Sequence, residues 1–310
     1  MGEIAALIAA LFWAVASTAF ADIGRHISAI HLNLVKGGLA ILLMGIVLFS
    51  GSLFTIPSLS PATLTSISGY GWLLLCLSGI VGIAFGDSAY FACIKRIGPQ
   101  KGLMLESTAP LLTALLALVL YEEYLPVASW FGIMLTTLGV IVVIRFSSGA
   151  KQYQNSKSGI VFGLLASCAQ ATGIVLSRMA LDGEDIEPLA SGLVRLSAGL
   201  FILLLWTQIT THLGIASKYH TTSISAACRV LLQEKLFSKL FTAMFFGTFI
   251  AIWLQQLSVK YTSAGIAQTL FATCPLIGTI IAVRRGYSQP AAVWGGLLLG
   301  LIGVGMLFLL

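Results

Sequence analysis

Charge is what this sequence has least of: Asp, Glu, Lys and Arg together make up 9% of its 310 residues, against 58% hydrophobic residues. A soluble domain of this length carries about 25% charged residues, so the scarcity excludes a water-facing surface over most of the chain. Histidine is equally sparse, with His26, His31, His212 and His220 placed in or beside polar connections. Neither H-E-x-x-H nor G-x-S-x-G on a strand-to-helix turn occurs, and the G-x-x-x-x-G-K-[ST] signature of ATP use is missing as well, so no enzyme class is supported and no cofactor is called for. The five cysteines (Cys76, Cys93, Cys168, Cys228, Cys274) form no C-x-x-C pair, which removes the usual zinc and redox motifs and leaves packing as their role. The net charge of +6 reports loop orientation in such a chain, and nucleic acid is not an expected partner.

What is abundant is long apolar sequence. A hydrocarbon core ~30 Å thick needs ~20 apolar residues per helix, and ten segments qualify, at roughly 3–20, 32–49, 71–93, 102–120, 127–144, 159–179, 190–208, 238–258, 263–283 and 289–309. The expected fold class is therefore an all-α integral membrane protein with ten transmembrane helices, multi-pass in an inner or plasma membrane. The first span follows Met1, Gly2 and Glu3 with no basic n-region and no clear cleavage site, which reads as a retained transmembrane helix.

The chain repeats itself. Residues 93–110 (CIKRIGPQKGLMLESTAP) lie over 258–275 (SVKYTSAGIAQTLFATCP) at one constant offset that matches Lys95 to Lys260, Gly102 to Ala267, Pro110 to Pro275 and also Gly82 to Gly247. Slightly smaller offsets match Leu34-Val35-Lys36 to Leu193-Val194-Arg195, Gly132–Val140 to Gly296–Val304, and Gly2 to Gly159. These matches divide the chain into a first five-helix repeat, 1–144, a polar linker, 145–158, and a second five-helix repeat, 159–310. An odd number of spans in each half turns the second upside down relative to the first. That arrangement puts a shared site near the midplane and suits alternating access.

Two five-span halves resemble the EamA domains of the drug/metabolite transporter superfamily: each has a basic residue early in its second span, a Lys-containing turn between its third and fourth, a Pro early in its fourth and a Gly-rich fifth. The resemblance covers nearly the whole chain and implies a transporter of small organic solutes, with both termini cytoplasmic. It also implies a Glu after the fourth span of each half. Glu123 matches in the first half, whereas Tyr287 or Ser288 stands there in the second.

Loop charge points the other way on orientation. Of 17 Lys and Arg residues, 13 fall in the connections after spans one, three, five, seven and nine: Arg25; Lys95, Arg96, Lys101; Arg145, Lys151, Lys157; Lys218, Arg229, Lys235, Lys239; Arg284, Arg285. The positive-inside rule places those loops in the cytoplasm and both termini outside. The longest loop, 209–237, contains SISAACRVLLQEKLF, which suits a short amphipathic helix at the membrane surface.

Ionisable groups inside spans are costly, at ~2.5–3.5 kcal/mol each even on lenient scales, and mark function or interhelical pairing. Asp87 in span three and Glu106 in span four are the candidates for proton coupling; the structural alternative pairs either acid with Lys36, Arg195 or Lys95. Lys36 and Arg195 occupy equivalent repeat positions. Each either snorkels to the interface or faces a central cavity, where Arg195 suits a substrate carboxylate or phosphate. The repeat also sets Tyr90 against Gln255, Phe91 against Gln256, and Trp13 against Gln170. If these positions line one cavity, then Trp13, Tyr90, Gln170, Arg195, Gln255 and Gln256 are its substrate-binding residues, aromatic from one half and amide from the other.

The sequence thus predicts a secondary transporter, exporter or exchanger, of a small organic solute such as an amino acid, with membrane lipids and coupling protons as its other partners, in a monomer or homodimer. The alternative is a lipid-linked carrier flippase or a non-transporting scaffold.

Overall fold

The structure is a computed structural model that describes residues 1–53, 60–146, 156–182, 184–212, 224–284 and 289–308. Most of the expected linker and the positions 287 and 288 lie outside the described residues. Within them the chain is helical, with no strand. Eight helices are long and apolar enough to cross a membrane: α1 (Gly2–Ile23), α2 (Ala29–Leu53), α3 (Gly69–Ile97), α6 (Val127–Phe146), α7 (Lys157–Leu181), α8 (Pro188–His212), α10 (Phe237–Tyr261) and α13 (Ala291–Phe308).

The other two expected spans are each broken. Residues 102–120 are covered by α4 (Pro99–Glu106) and α5 (Ala109–Tyr121), and residues 263–283 by α11 (Ala264–Phe271) and α12 (Cys274–Arg284). Proline explains both breaks. Pro110 stands four residues after Glu106 and Pro275 four after Phe271, so the carbonyl that each ring meets receives no amide hydrogen bond and the helix ends there. Around the first break the chain tightens, with the Thr108 N–H donating to the Leu105 carbonyl at 3.1 Å. Gly98, between α3 and α4, has φ 84°, a left-handed backbone that favours glycine, and Pro99 then begins α4.

The breaks fall at the same constant offset as the sequence repeat. So do two stretches of wider, π-type helix, Ile80–Asp87 within α3 and Phe245–Ile250 within α10, which begin at matched positions. Such stretches are rare and concentrate at functional sites. Packing is reciprocal as well: α1 lies against α10, α11 and α12, while α7 lies against α3, α4 and α5. A Cβ built on Gly2 would come 3.1 Å from the Thr262 Cβ at the end of α10, and one built on its repeat partner Gly159 would come 3.1 Å from the Arg96 Cβ at the end of α3.

The closest helix pair is α6 with α13. A Cβ on Gly139 would sit 2.6 Å from the Gly296 carbonyl oxygen and 2.7 Å from the Gly300 Cα, so only glycine lets these two backbones touch. The expected short helix in the 209–237 loop is α9 (Ile224–Gln233). It does not lie free: Ala227 and Leu231 are buried in a cluster with Phe20, Ile23 and Leu32, tying the helix to α1 and α2.

Candidate functional site

Lys36 on α2 and Arg195 on α8 do not snorkel. Both side chains are buried, two turns into their helices, at 0% and 1% exposure. Lys36 donates to Asp87 Oδ2 at 2.6 Å, so the structure selects the ion pair for this acid. The same ammonium sits 5.0 Å from the Phe91 ring centre, 5.8 Å from Phe20 and 5.9 Å from Trp13, an aromatic surround that favours a cation.

Arg195 has no such partner. Among the described residues nothing accepts from its Nε or Nη1, although both are buried. It is held by backbone contact: a Cβ on Gly79 would come 2.6 Å from the Arg195 carbonyl carbon, so α3 and α8 touch at this level. Arg195 lines a cavity with Trp13, Lys36, Asp87, Gln170 and Gln255, together with the π-type stretches at Ile83 and Gly247. The space open to the centre of a water molecule is about 30 Å³, room for roughly two waters. With Lys36 and Asp87 cancelling, the fixed charge left facing this cavity is that of Arg195. A buried unpaired charge is expensive, and an anionic group entering the cavity would be met by a planar two-pronged donor.

Glu106 opens onto a neighbouring cavity of about 10 Å³, lined also by Trp13, Leu103, Ser107, Gln268 and Phe271. Trp13 and Phe271, ring centres 6.3 Å apart, line both cavities and divide them. Asp87, Arg195 and Gln255 therefore share one chamber and Glu106 stands in the next. Gln268 was not singled out in the sequence; the signal was an amide one turn before the residue that Pro275 leaves without a backbone N–H donor.

Two expected lining residues lie elsewhere. Tyr90 is buried against Trp13, ring centres 6.0 Å apart, and lines neither cavity. Gln256 Oε1 accepts from Ser177 at 3.1 Å and Ser191 at 3.0 Å, so it ties α10 to α7 and α8. Its amide is interhelical glue in place of a solute contact.

At the membrane face that holds Met1, Glu123 joins the two halves. Its Oε1 accepts from Arg178 Nε at 3.0 Å and its Oε2 from the Ala264 N–H at 2.9 Å. Arg178 Nη1 donates in turn to the Val259 and Lys260 carbonyls at 3.1 and 3.0 Å. Glu187, beside this network at the start of α8, has its carboxyl pushed above the usual range by burial.

A helical bundle with paired helix breaks and a buried polar chamber narrows the identity, and comparison of the whole chain decides it. The model of the EamA-like transporter family matches twice, over residues 1–145 and 157–309. The chain belongs to the EamA-like transporter family. It is a multi-pass membrane protein. Among curated relatives it is 30% identical over 95 residues to the uncharacterized transporter YdfC of Bacillus subtilis, covering 31% of this chain and 30% of that one. It is 29% identical over 131 residues to an uncharacterized transporter of Archaeoglobus fulgidus, covering 42% and 45% respectively. The matched stretches span less than half the length of either relative. A crystal structure of a protein 16% identical in sequence superposes with a TM-score of 0.67 over 99% of this chain and 96% of that one, a likeness of fold.

Proposed function

We propose that this EamA-family chain is a secondary transporter that exports or exchanges a small organic metabolite by alternating access, the solute carrying a carboxylate as amino acids do. The observation that carries the reading is Arg195: a buried guanidinium with unpartnered Nε and Nη1, facing a chamber that also holds Gln170, Gln255 and Trp13. The amides suit polar parts of the solute and the indole suits apolar parts. A chamber of about 30 Å³ is far smaller than such a solute, so binding requires it to enlarge.

The repeated breaks and reciprocal contacts support two inverted five-span halves rocking about this chamber. They also favour transport over scaffolding, which needs no polar chamber. Coupling runs through Glu106, because Asp87 is occupied by Lys36; the pH-gradient arm of the assay below tests whether a proton is the coupling ion.

The test is uptake and efflux in vesicles reconstituted with the pure protein, against a panel of amino acids and related metabolites with their decarboxylated amines, with and without a pH gradient. Carboxylate-bearing solutes should move, and Arg195→Gln should cut their transport at least tenfold. Movement of the amines alone, or no movement of any solute, overturns the reading.

A further inference from the structure

The chamber beside Glu106 differs in character from the one beside Arg195. It lies where α4 and α11 both end, at Glu106 and Phe271. A helix C-terminus carries partial negative charge in its last carbonyls, and here two of them meet one cavity. The two prolines sharpen this. Pro110 has no N–H for the Glu106 carbonyl, and at the matched position the Phe271 carbonyl receives only the weak thiol donor Cys274 Sγ, at 2.9 Å.

The side chains add oxygen of the same sign. Glu106 and Gln268 are 8% and 2% exposed. Among the described residues Gln268 Oε1 has no donor, and no cation or hydrogen-bond donor meets the Glu106 carboxylate. The titratable groups that face Glu106 are Asp87, Tyr90 and Cys93 from α3 and Cys274 from α12, none of them cationic. Lys36 and Arg195 line the other chamber.

We propose that this second chamber is a monovalent cation site that takes Na⁺, with the Glu106 carboxylate, Gln268 Oε1 and the carbonyls at the two helix breaks as its oxygen donors. The inference deepens the coupling part of the reading above and rests on it only for its role, since the site stands on its own geometry. A proton would satisfy one acceptor here and leave the rest unmet, whereas a cation can draw on several of these oxygens. Broken membrane helices offer their freed carbonyls to Na⁺ in this way. A space of about 10 Å³ admits one water-sized sphere. One carboxylate among neutral oxygens matches a single positive charge, and among the described residues no group of three His, Cys, Asp or Glu gathers to hold a divalent or transition metal.

The experiment is direct binding of radioactive ²²Na⁺ to the full chain in lipid nanodiscs, paired with thermal unfolding in NaCl, KCl or choline chloride at one ionic strength and several pH values. We expect saturable binding displaced by unlabelled Na⁺, and a melting temperature that rises with NaCl above its value in choline. Glu106→Gln should weaken Na⁺ at least tenfold and Gln268→Leu severalfold. Arg195→Gln should keep Na⁺ binding while losing solute transport, which separates failure of this site from failure of the solute reading. If Glu106→Gln does not yield a monodisperse protein, Glu106→Asp keeps the charge and should shift the Na⁺ affinity. Wild-type protein that binds no ²²Na⁺, or that melts identically in NaCl and choline and responds to pH alone, overturns the proposal. So does a Glu106→Gln protein with unchanged Na⁺ affinity.

Discussion

Lys36 and Asp87 meet at 2.6 Å between α2 and α3, and the ammonium is enclosed by the rings of Phe91, Phe20 and Trp13. The pair converts two charges that a membrane interior would penalise into one neutral unit. Removing one member strands the other, at a cost of about 3–5 kcal/mol, while replacing both by apolar residues is close to neutral. Asp87→Asn and Lys36→Met should therefore each lower the melting temperature of the detergent-solubilised protein sharply, and the double substitution Lys36→Met with Asp87→Leu should recover most of the loss. Additive losses in the double variant would contradict the pairing.

The latch formed by Glu123 and Arg178 should be visible in backbone exchange. Glu123 accepts from the Ala264 N–H at 2.9 Å, so Glu123→Ala frees that amide and loosens the end of α10. Hydrogen–deuterium exchange at residues 259–266 should rise several-fold while exchange in α6 stays the same. Unchanged protection of the Ala264 amide would show that the contact does not hold this face shut.

Glycines in this bundle divide into those with neighbours and those without. Gly139 faces the Gly296 carbonyl and the Gly300 backbone, whereas Gly305 has nothing within 4 Å of an added Cβ. Gly139→Ala should cost about 1–3 kcal/mol by forcing α6 and α13 apart, and Gly305→Ala should be neutral or stabilising by about 0.5–1 kcal/mol through helix propensity. Thermal unfolding of the two variants side by side checks the contrast.

Orientation is open to a simple measurement. Acidic groups crowd the face that holds Met1: Glu3 accepts from Thr262, Glu123 and Asp182 pair with Arg178, and Asp185 pairs with Lys260, while at the opposite end of α1 Lys239 pairs with Asp22 and Lys95 donates to the Ile27 carbonyl. The end of α13 shares the Met1 face, since Leu307 packs against Gly132 near the start of α6. On the positive-inside rule we expect both termini outside the cytoplasm. A green fluorescent protein fused at the C-terminus should be dark and an alkaline phosphatase fusion active; a bright fusion would return the topology to the cytoplasmic termini that the family resemblance implies.

The architecture is largely legible in the sequence because membrane burial leaves a strong record: apolar length marks ten spans, eight of which are long helices among the described residues, and the repeat matches positions such as Gly2 and Gly159. The site was legible by type and not by partner. Lys36, Arg195, Asp87 and Glu106 stood out as costly groups in apolar spans, yet which acid paired with which base depends on helix rotation, to which spacing along the chain is blind. Pro110 and Pro275 were seen as repeat landmarks, and their effect, splitting two spans, followed only from where their rings fall against Glu106 and Phe271. Gln256 looked equivalent to Gln255 because neighbours on a helix differ by 100° in direction, which sends one into the chamber and the other to Ser177 and Ser191.

The chamber beside Arg195, at about 30 Å³, holds about two waters, and any metabolite that enters must first find it enlarged and flooded. Opening is thus a step with a positive hydration change, and solutes too large to follow the water in oppose it by exclusion. The transport rate becomes a function of water activity: high-molecular-weight polyethylene glycol on both sides of the vesicle should slow turnover in proportion to osmotic pressure, making the number of waters taken up per cycle a measurable quantity.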